Sequence, residues 1–421
     1  MIPRGPRLSP GPFVFRRDRL VGLIIRMSEA KYIIGVPMRS FALAFLLTLP
    51  PFAGLHGQDR TLANATARAN HQFSSILGLR ELPDGRVLVS DGIDNVLLRI
   101  DLATSRIDTV GRGGQGPGEY KAPDALFALP GDATLLVDLG NGRLSVFDGG
   151  QRYRESIPIS QGTPGGPGGF TLIIPRGTDG AGRIYFQPMG GGPRADSAPV
   201  VRWDRPAGKF DTLAQVKLPA LITKTSGGAN NRRVAQRSPA YPVQEGWLVT
   251  SDGRLALVRA PTYRVDWVAP PGQRVVGKPI PAAAVPVRDA EKKEYLAESA
   301  ANGLSVSIEN NNGSVSMRFS RGRQQGEDPE EQPDLSAQEW PAVKPTVTGL
   351  LAADPSGRLW VERAVPAGAP RQYDVVGPDG GVTMRVGFPA GRRLIAVGAK
   401  GIYARHVDPD GINYLERYAL P

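Results

Sequence analysis

Cysteine is absent from the 421 residues, and histidine occurs only three times. The first absence excludes disulfides, thiolate metal sites, cysteine nucleophiles and the lipid-modified cysteine of a bacterial lipoprotein. The second leaves His71 and His406 once a leader containing His56 is set aside, too few for a zinc centre built from several histidines. No G-x-S-x-G elbow and no Ser-His-Asp constellation is evident, so nucleophilic hydrolysis has no support in the sequence. Long helical periodicity is missing too, and after residue 58 no apolar run is long enough to span a bilayer. That part also lacks any Lys/Arg-rich block with interleaved aromatics, which argues against nucleic acid as a partner.

The formal net charge of +11 is unevenly spread. Residues 1–57 hold eight Lys/Arg and two Asp/Glu, whereas 58–421 hold 43 against 38. More than half of the excess therefore belongs to the front of the chain and says little about partners. Within that front, Met38-Arg39 precedes the apolar run Phe41–Leu49, then Pro50, Pro51 and small residues to Gly57. A basic start, an apolar centre and a small-residue exit describe a secretory signal peptide, with Met27 or Met38 as the start and the earlier residues an over-extended frame. The alternative is a short interfacial anchor that stays attached. The reading adopted is a leader over 1–57 and an exported body over 58–421, periplasmic or secreted and monomeric. Without disulfides such a body relies on its hydrophobic core, and its length allows a large one.

What the chain has in abundance is glycine (52) and proline (39), dispersed among short apolar strands rather than gathered in low-complexity tracts. Arg86–Asp91 and Val96–Asp101 are β-branched-rich runs split by the turn-like GIDN at 92–95, and Arg106–Gly111 follows. This is an antiparallel meander. LPDGRVLVSD is echoed by LPGDATLLVD, and NVLLRID by GRLSVFD, at an offset of about 46 residues, the spacing of a four-stranded propeller blade. Ser75–Leu82 is the expected inner strand of the first unit and Ala125–Ile159 spans the second. The third is looser, with Phe170–Pro175 as its inner strand, then GAGRIYF (180–186) and Val200–Asp204. Trp247–Thr250, the SDGR turn at 251–254, Leu255–Arg259 and Tyr263–Trp267 form the fourth. Leu350–Ala353, DPSGR (354–358) and Gln372–Val376 form the fifth. Arg393–Ala396, GAKGIYARH (398–406) and Asn413–Ala419 form the sixth.

Six such units predict an all-β fold, a six-bladed β-propeller whose closure removes exposed sheet edges. Asp59–Phe73 is placed to close the ring against the C-terminal strands. An insertion over 286–345 separates blades four and five. Within it Val287–Ser299 is helix-compatible with Asp289 as N-cap, Ser305–Phe319 gives two strands around Asn310–Gly313, and 321–334 reads as a polar loop. Long insertions on one face of a repeat fold commonly modify its binding face.

The chain resembles the bacterial six-bladed β-propeller proteins related to the NHL-repeat family. The residues that carry this are PDGRVLVSD (83–91), GRGGQGPGEYKAPDAL (111–126) and DPSGRLWVERA (354–364). The resemblance covers roughly 72–421 and implies an exported propeller with a central channel. It implies no reaction, because the fold hosts lyases, lactonases, receptors and interaction modules.

Candidate site residues follow from these alignments. Gly114–Tyr120 (GQGPGEY) is a tight glycine-rich crossing that brings Glu119 and Tyr120 to the channel rim. There Glu119, with Tyr120 beside it, could bind a cation or a polar ligand, or Glu119 could simply fix the crossing through hydrogen bonds to loop amides. Its glycines are no dinucleotide fingerprint, since no helix follows. Asp91 and Asp138 end equivalent second strands, with Asn95 and Asn141 nearby. Oxygen ligands of this kind suit calcium, as in propeller lactonases, although such residues more often cap turns. Trp203, Trp247, Trp267 and Trp360 are expected between blades, and Trp340 exposed. The leading functional expectation is a binding module without a cofactor, taking a protein or small-molecule ligand through one channel face. The alternative is a calcium-dependent hydrolase or lyase of the lactonase type.

Overall fold

The structure is a computed structural model that describes residues 58–162, 170–188, 196–219, 222–226, 233–237, 239–302, 304–311, 314–321 and 339–421. Residues 1–57, read above as a leader, and most of the acidic loop at 321–334 lie outside the described residues.

Six sheets follow one another along the chain, each built on four antiparallel strands. The four are consecutive in blades one to five, while blade six has three consecutive strands and takes its fourth from the N-terminal side. The sheets begin at Gly78–Glu81, Pro123–Ala128, Pro175–Thr178, Gly246–Val249, Val347–Ala353 and Arg392–Val397. These first strands neighbour one another in sequence, and the sixth returns to the first. That closed cycle is a six-bladed β-propeller.

The cause lies in the second and third strands, which are apolar on both faces. In Leu255–Arg259, Leu255 and Leu257 pack towards blade three while Ala256 and Val258 pack towards blade five. A blade with two greasy faces needs a neighbour on each side. Accordingly, six buried clusters lie one between each pair of adjacent blades. Trp247, Trp267 and Trp360 are buried in them, and Trp203 packs at the margin of one.

Ring closure uses the residues assigned to it. Ala67–Arg68 pairs with Glu416 and Arg417 as the fourth strand of blade six, and Phe73 bridges to Asn413. Gln58–Thr61 adds a parallel fifth strand to blade five, against Met384–Gly387.

The recurrent DGR turns joining first and second strands have one physical basis. Gly85, Gly182, Gly253 and Gly357 adopt φ of 87°, 79°, 83° and 76°, a left-handed conformation that glycine reaches without a Cβ clash. The aspartate ahead of each accepts from the backbone N–H and the Nε–H of the arginine that follows the glycine. The pairs are Asp84–Arg86, Asp179–Arg183, Asp252–Arg254 and Asp354–Arg358.

Two expectations need correction. The inner strand of blade three is Pro175–Thr178, not Phe170–Pro175, because Phe170–Leu172 pairs with Ser160–Gly162 in a separate hairpin. Asp289 is the first helical residue rather than the cap: in helix α1 (Asp289–Asn302) the Glu291 carboxylate accepts from the N–H of Arg288, a capping-box contact. The insertion hairpin pairs Leu304–Asn311 with Ser314–Arg321, and residues 312 and 313 of the expected turn lie outside the described residues. A further hairpin, Ile222–Ser226 with Arg233–Arg237, has no counterpart in the sequence reading.

Antiparallel blades sort their connections. The links that enter each first strand, and the loops between second and third strands, lie on one face, here called the entry face; the DGR turns lie on the other. The hairpins and α1 occupy connections between blades, so they all belong to the entry face.

Candidate functional site

The residues singled out in the sequence lie on the entry face, and each already has partners. Asp91 and Asp138 are fully buried. The Asp91 carboxylate accepts from the backbone N–H groups of Ser74, Ser75, Ile93 and Asp94 at 2.8–3.1 Å. Asp138 accepts from Lys121 and Ala122 N–H at 3.0 and 3.1 Å and from the Asn141 side-chain amide at 2.7 Å, with the Arg143 guanidinium 3.5 Å away. Asn141 also donates to the Gly114 carbonyl, while Asn95, exposed and at φ 53°, donates to the Ile93 carbonyl.

Glu119 accepts from the Gly116 N–H and from Arg112 Nε, both at 2.7 Å. The Gly116 amide and the Arg112 guanidinium hold its carboxyl below the usual glutamate range. Tyr120 is buried, accepting from Leu97 N–H and donating to the Val110 carbonyl, and burial pushes its hydroxyl pKa up. The crossing loop is thus pinned from inside. Among the described residues no group of three or more His, Asp or Glu side chains converges to hold a metal ion. His71 packs edge-on against Phe73, and His406 faces Glu416 at 3.1 Å.

A different set of residues forms a cleft. Three segments converge beside blades four and five: the link from blade three (Tyr241–Gln244), helix α1, and the returning end of the insertion (Val343–Val347). They enclose two adjoining cavities of about 190 and 120 Å3. Val243, Pro261, Tyr263 and Val343 make the larger one mainly apolar. The smaller is walled by Tyr241 and Tyr295 and by the charged groups of Glu294, Glu298, Lys344, Arg371 and Arg393.

Tyr241 sits at φ 47°, where a bulky side chain is strained. Its hydroxyl donates to the Glu291 carbonyl at 2.6 Å, and its ring packs 4.8 Å from Tyr295 and 6.2 Å from Trp340. Trp340 is therefore half-buried in an aromatic cluster rather than exposed. Burial, reinforced by the carboxylates of Glu294, Glu298 and Glu291, pushes the Tyr241 hydroxyl pKa up.

The charged wall is an interlocked network. Glu362, fully buried, takes Arg393 Nε at 2.9 Å, the Tyr373 hydroxyl at 3.2 Å and Arg371 Nη1 at 3.5 Å. Arg371 also reaches Glu294 at 3.1 Å and Glu298. Lys344, only 3% exposed at its side chain, pairs with Glu294 at 3.0 Å and donates to the Val365 carbonyl. Burial lowers the Arg405 pKa, and the Arg393 charge adds to that effect.

Chemically this arrangement favours recognition. The carboxylates are ion-paired, and the Tyr241 and Tyr373 hydroxyls, their pKa values raised chiefly by burial, act as hydrogen-bond donors rather than bases. A cleft with apolar walls and a few convergent polar groups is the usual form of a ligand site. Residues 241, 295, 344, 371 and 393 lie too far apart in sequence to signal one another. The nearest signal was Glu291, Glu294, Tyr295 and Glu298, a stripe at i, i+3, i+4 and i+7 on the helix.

No protein-family profile and no curated protein matches the chain. Several solved structures are similar to it. A calcium-binding regucalcin from Agrobacterium tumefaciens is 13% identical, with TM-score 0.41 over 86% of this chain and 97% of its own. A putative gluconolactonase is 14% identical, with TM-score 0.40 over 86% and 97%. Virginiamycin B lyase from Staphylococcus aureus is 10% identical, with TM-score 0.37 over 85% and 99%.

Proposed function

We propose that the protein is an exported, monomeric propeller that binds a small-molecule or protein ligand through its entry face, without a cofactor and without catalysing a reaction. Relation to the NHL-repeat propellers, carried by the blade-crossing and DGR segments, belongs to the same reading. The observation that carries it is the cleft beneath the insertion, where three chain segments, two cavities and a strained tyrosine meet. Support for export is the leader-like segment at 38–57. Recognition without chemistry fits a cleft whose carboxylates are ion-paired and whose tyrosine hydroxyls are held protonated.

The test is hydrogen-exchange footprinting of the purified protein before and after addition of an extract from its own cell envelope. Protection concentrated in 239–245, 289–302 and 339–347 is the expected result. Protection confined to the DGR turns of the opposite face would overturn the reading.

A further inference from the structure

The helix that roofs the cleft is docked in an unusual way. A surface helix ordinarily lays an apolar stripe on the body beneath it. The stripe that α1 turns inward is Glu291, Glu294, Tyr295 and Glu298, three carboxylates and one ring. Glu291 is 5% exposed and its carboxylate accepts from the Ala367 N–H at 2.9 Å. Glu294 bridges Lys344 and Arg371, each about 3 Å away. Glu298, one turn further on, meets Arg371 again and lies 3.7 Å from Arg393.

The two guanidiniums are held from behind. Glu362 anchors both from the propeller body, and Tyr373 and Leu394 N–H complete that support. Glu298 meets the same two groups from the helix, and at 39% side-chain exposure it is the most accessible carboxylate of the cluster. A fixed pair of arginines met by a partly exposed carboxylate has the geometry of a carboxylate receptor, since the planar forks of arginine suit two-oxygen anions.

We propose that Arg371 and Arg393 form a binding site for a carboxylate-bearing ligand, and that Glu298 occupies it in this conformation as an internal stand-in. The ligand carboxylate takes the place of the Glu298 side chain, and the remainder of the ligand lies against Tyr241 and Tyr295. Glu298 meets the two arginines through ion pairs, while Tyr295 holds α1 in the aromatic cluster with Tyr241 and Trp340, so Glu298 can leave the arginines with that packing in place. This inference rests on the entry-face reading and names the ligand chemistry.

Succinate is the probe, titrated calorimetrically into the full chain at low ionic strength, with succinamide as the uncharged control. Glu298→Gln keeps the shape of the side chain and removes the competing charge. Succinate should bind this variant about tenfold more tightly than the parent protein, a shift of about 1.4 kcal/mol, and succinamide should bind neither. Arg393→Gln should lose the binding; if that variant does not fold, Arg393→Lys should weaken it several-fold. Equal or weaker binding by Glu298→Gln, no heat with either protein, equal binding of succinamide, or unchanged affinity in the folded arginine variant would overturn the assignment. Loss of the assignment with the hydrogen-exchange footprint still on the entry face would remove only the carboxylate chemistry. A footprint elsewhere would remove the entry-face reading itself.

Discussion

Arg80 and Glu81 are adjacent on the innermost strand of blade one and reach to opposite neighbours. Arg80 donates to the Asp132 carbonyl and to the Thr134 hydroxyl of blade two. Glu81 accepts from the Ala399 and Lys400 N–H groups and from the Tyr403 hydroxyl of blade six. The blade-six turn GAKG has no aspartate of its own, and Glu81 supplies the missing acceptor across the blade boundary. Glu81→Ala should therefore lower stability by about 2–4 kcal/mol, since three donors lose a charged partner. Glu81→Gln should lose less. Chemical denaturation of the two variants checks this, and an Ala variant as stable as the parent would contradict it.

Asp138 predicts a second structural loss. Its carboxylate, fully buried, holds two backbone N–H groups of the crossing segment and the Asn141 amide. Asp138→Ala leaves those donors without an acceptor, at a cost of about 2–4 kcal/mol. The same change at a calcium ligand would abolish a calcium-dependent gain in Tm. Here the Tm should fall equally with and without added calcium.

Much of this architecture was legible because it is local. A glycine that must take positive φ, preceded by an aspartate and followed by an arginine, marks a turn whose hydrogen bonds close within five residues. Four of the six blades carry it. The strands Val96–Asp101, Leu255–Arg259 and Gln372–Val376 could be read to the residue, since apolar runs between such turns leave little choice of register. Blade three was misread because Phe170–Leu172 has the stronger strand composition, whereas Pro175–Thr178 (PRGT) becomes a strand through its place in the ring. The hairpin at 222–237 was missed because its strands are polar and its turn carries no DGR signature. The cleft was out of reach for another reason. Arg371 meets Glu298 across more than seventy residues, and only the folded insertion brings them together.

Glu119 makes the crossing loop sensitive to acid. The Gly116 N–H, and after it the Arg112 guanidinium, lower its folded pKa. A depressed carboxylate pKa gives stabilisation that is complete above the unfolded value, about 4.3, and is lost as pH falls through the folded value. Glu119→Gln should thus be less stable than the parent protein at neutral pH, with the difference shrinking as the pH falls below about 4. Melting curves across pH check the sign. A gap that stays constant into acid would show that the Glu119 charge does not hold the loop.

As proposed above, the protein works by recognition at its entry face and not by metal chemistry in the channel. Metal analysis of the purified protein, followed by calorimetric titration with calcium after chelation, tests it most directly. With Asp91 and Asp138 occupied by amide donors, no stoichiometric metal, no heat of calcium binding and an unmoved Tm are expected. About one tightly held calcium per chain, with a matching rise in Tm, would contradict it and put the calcium-dependent hydrolase or lyase in its place.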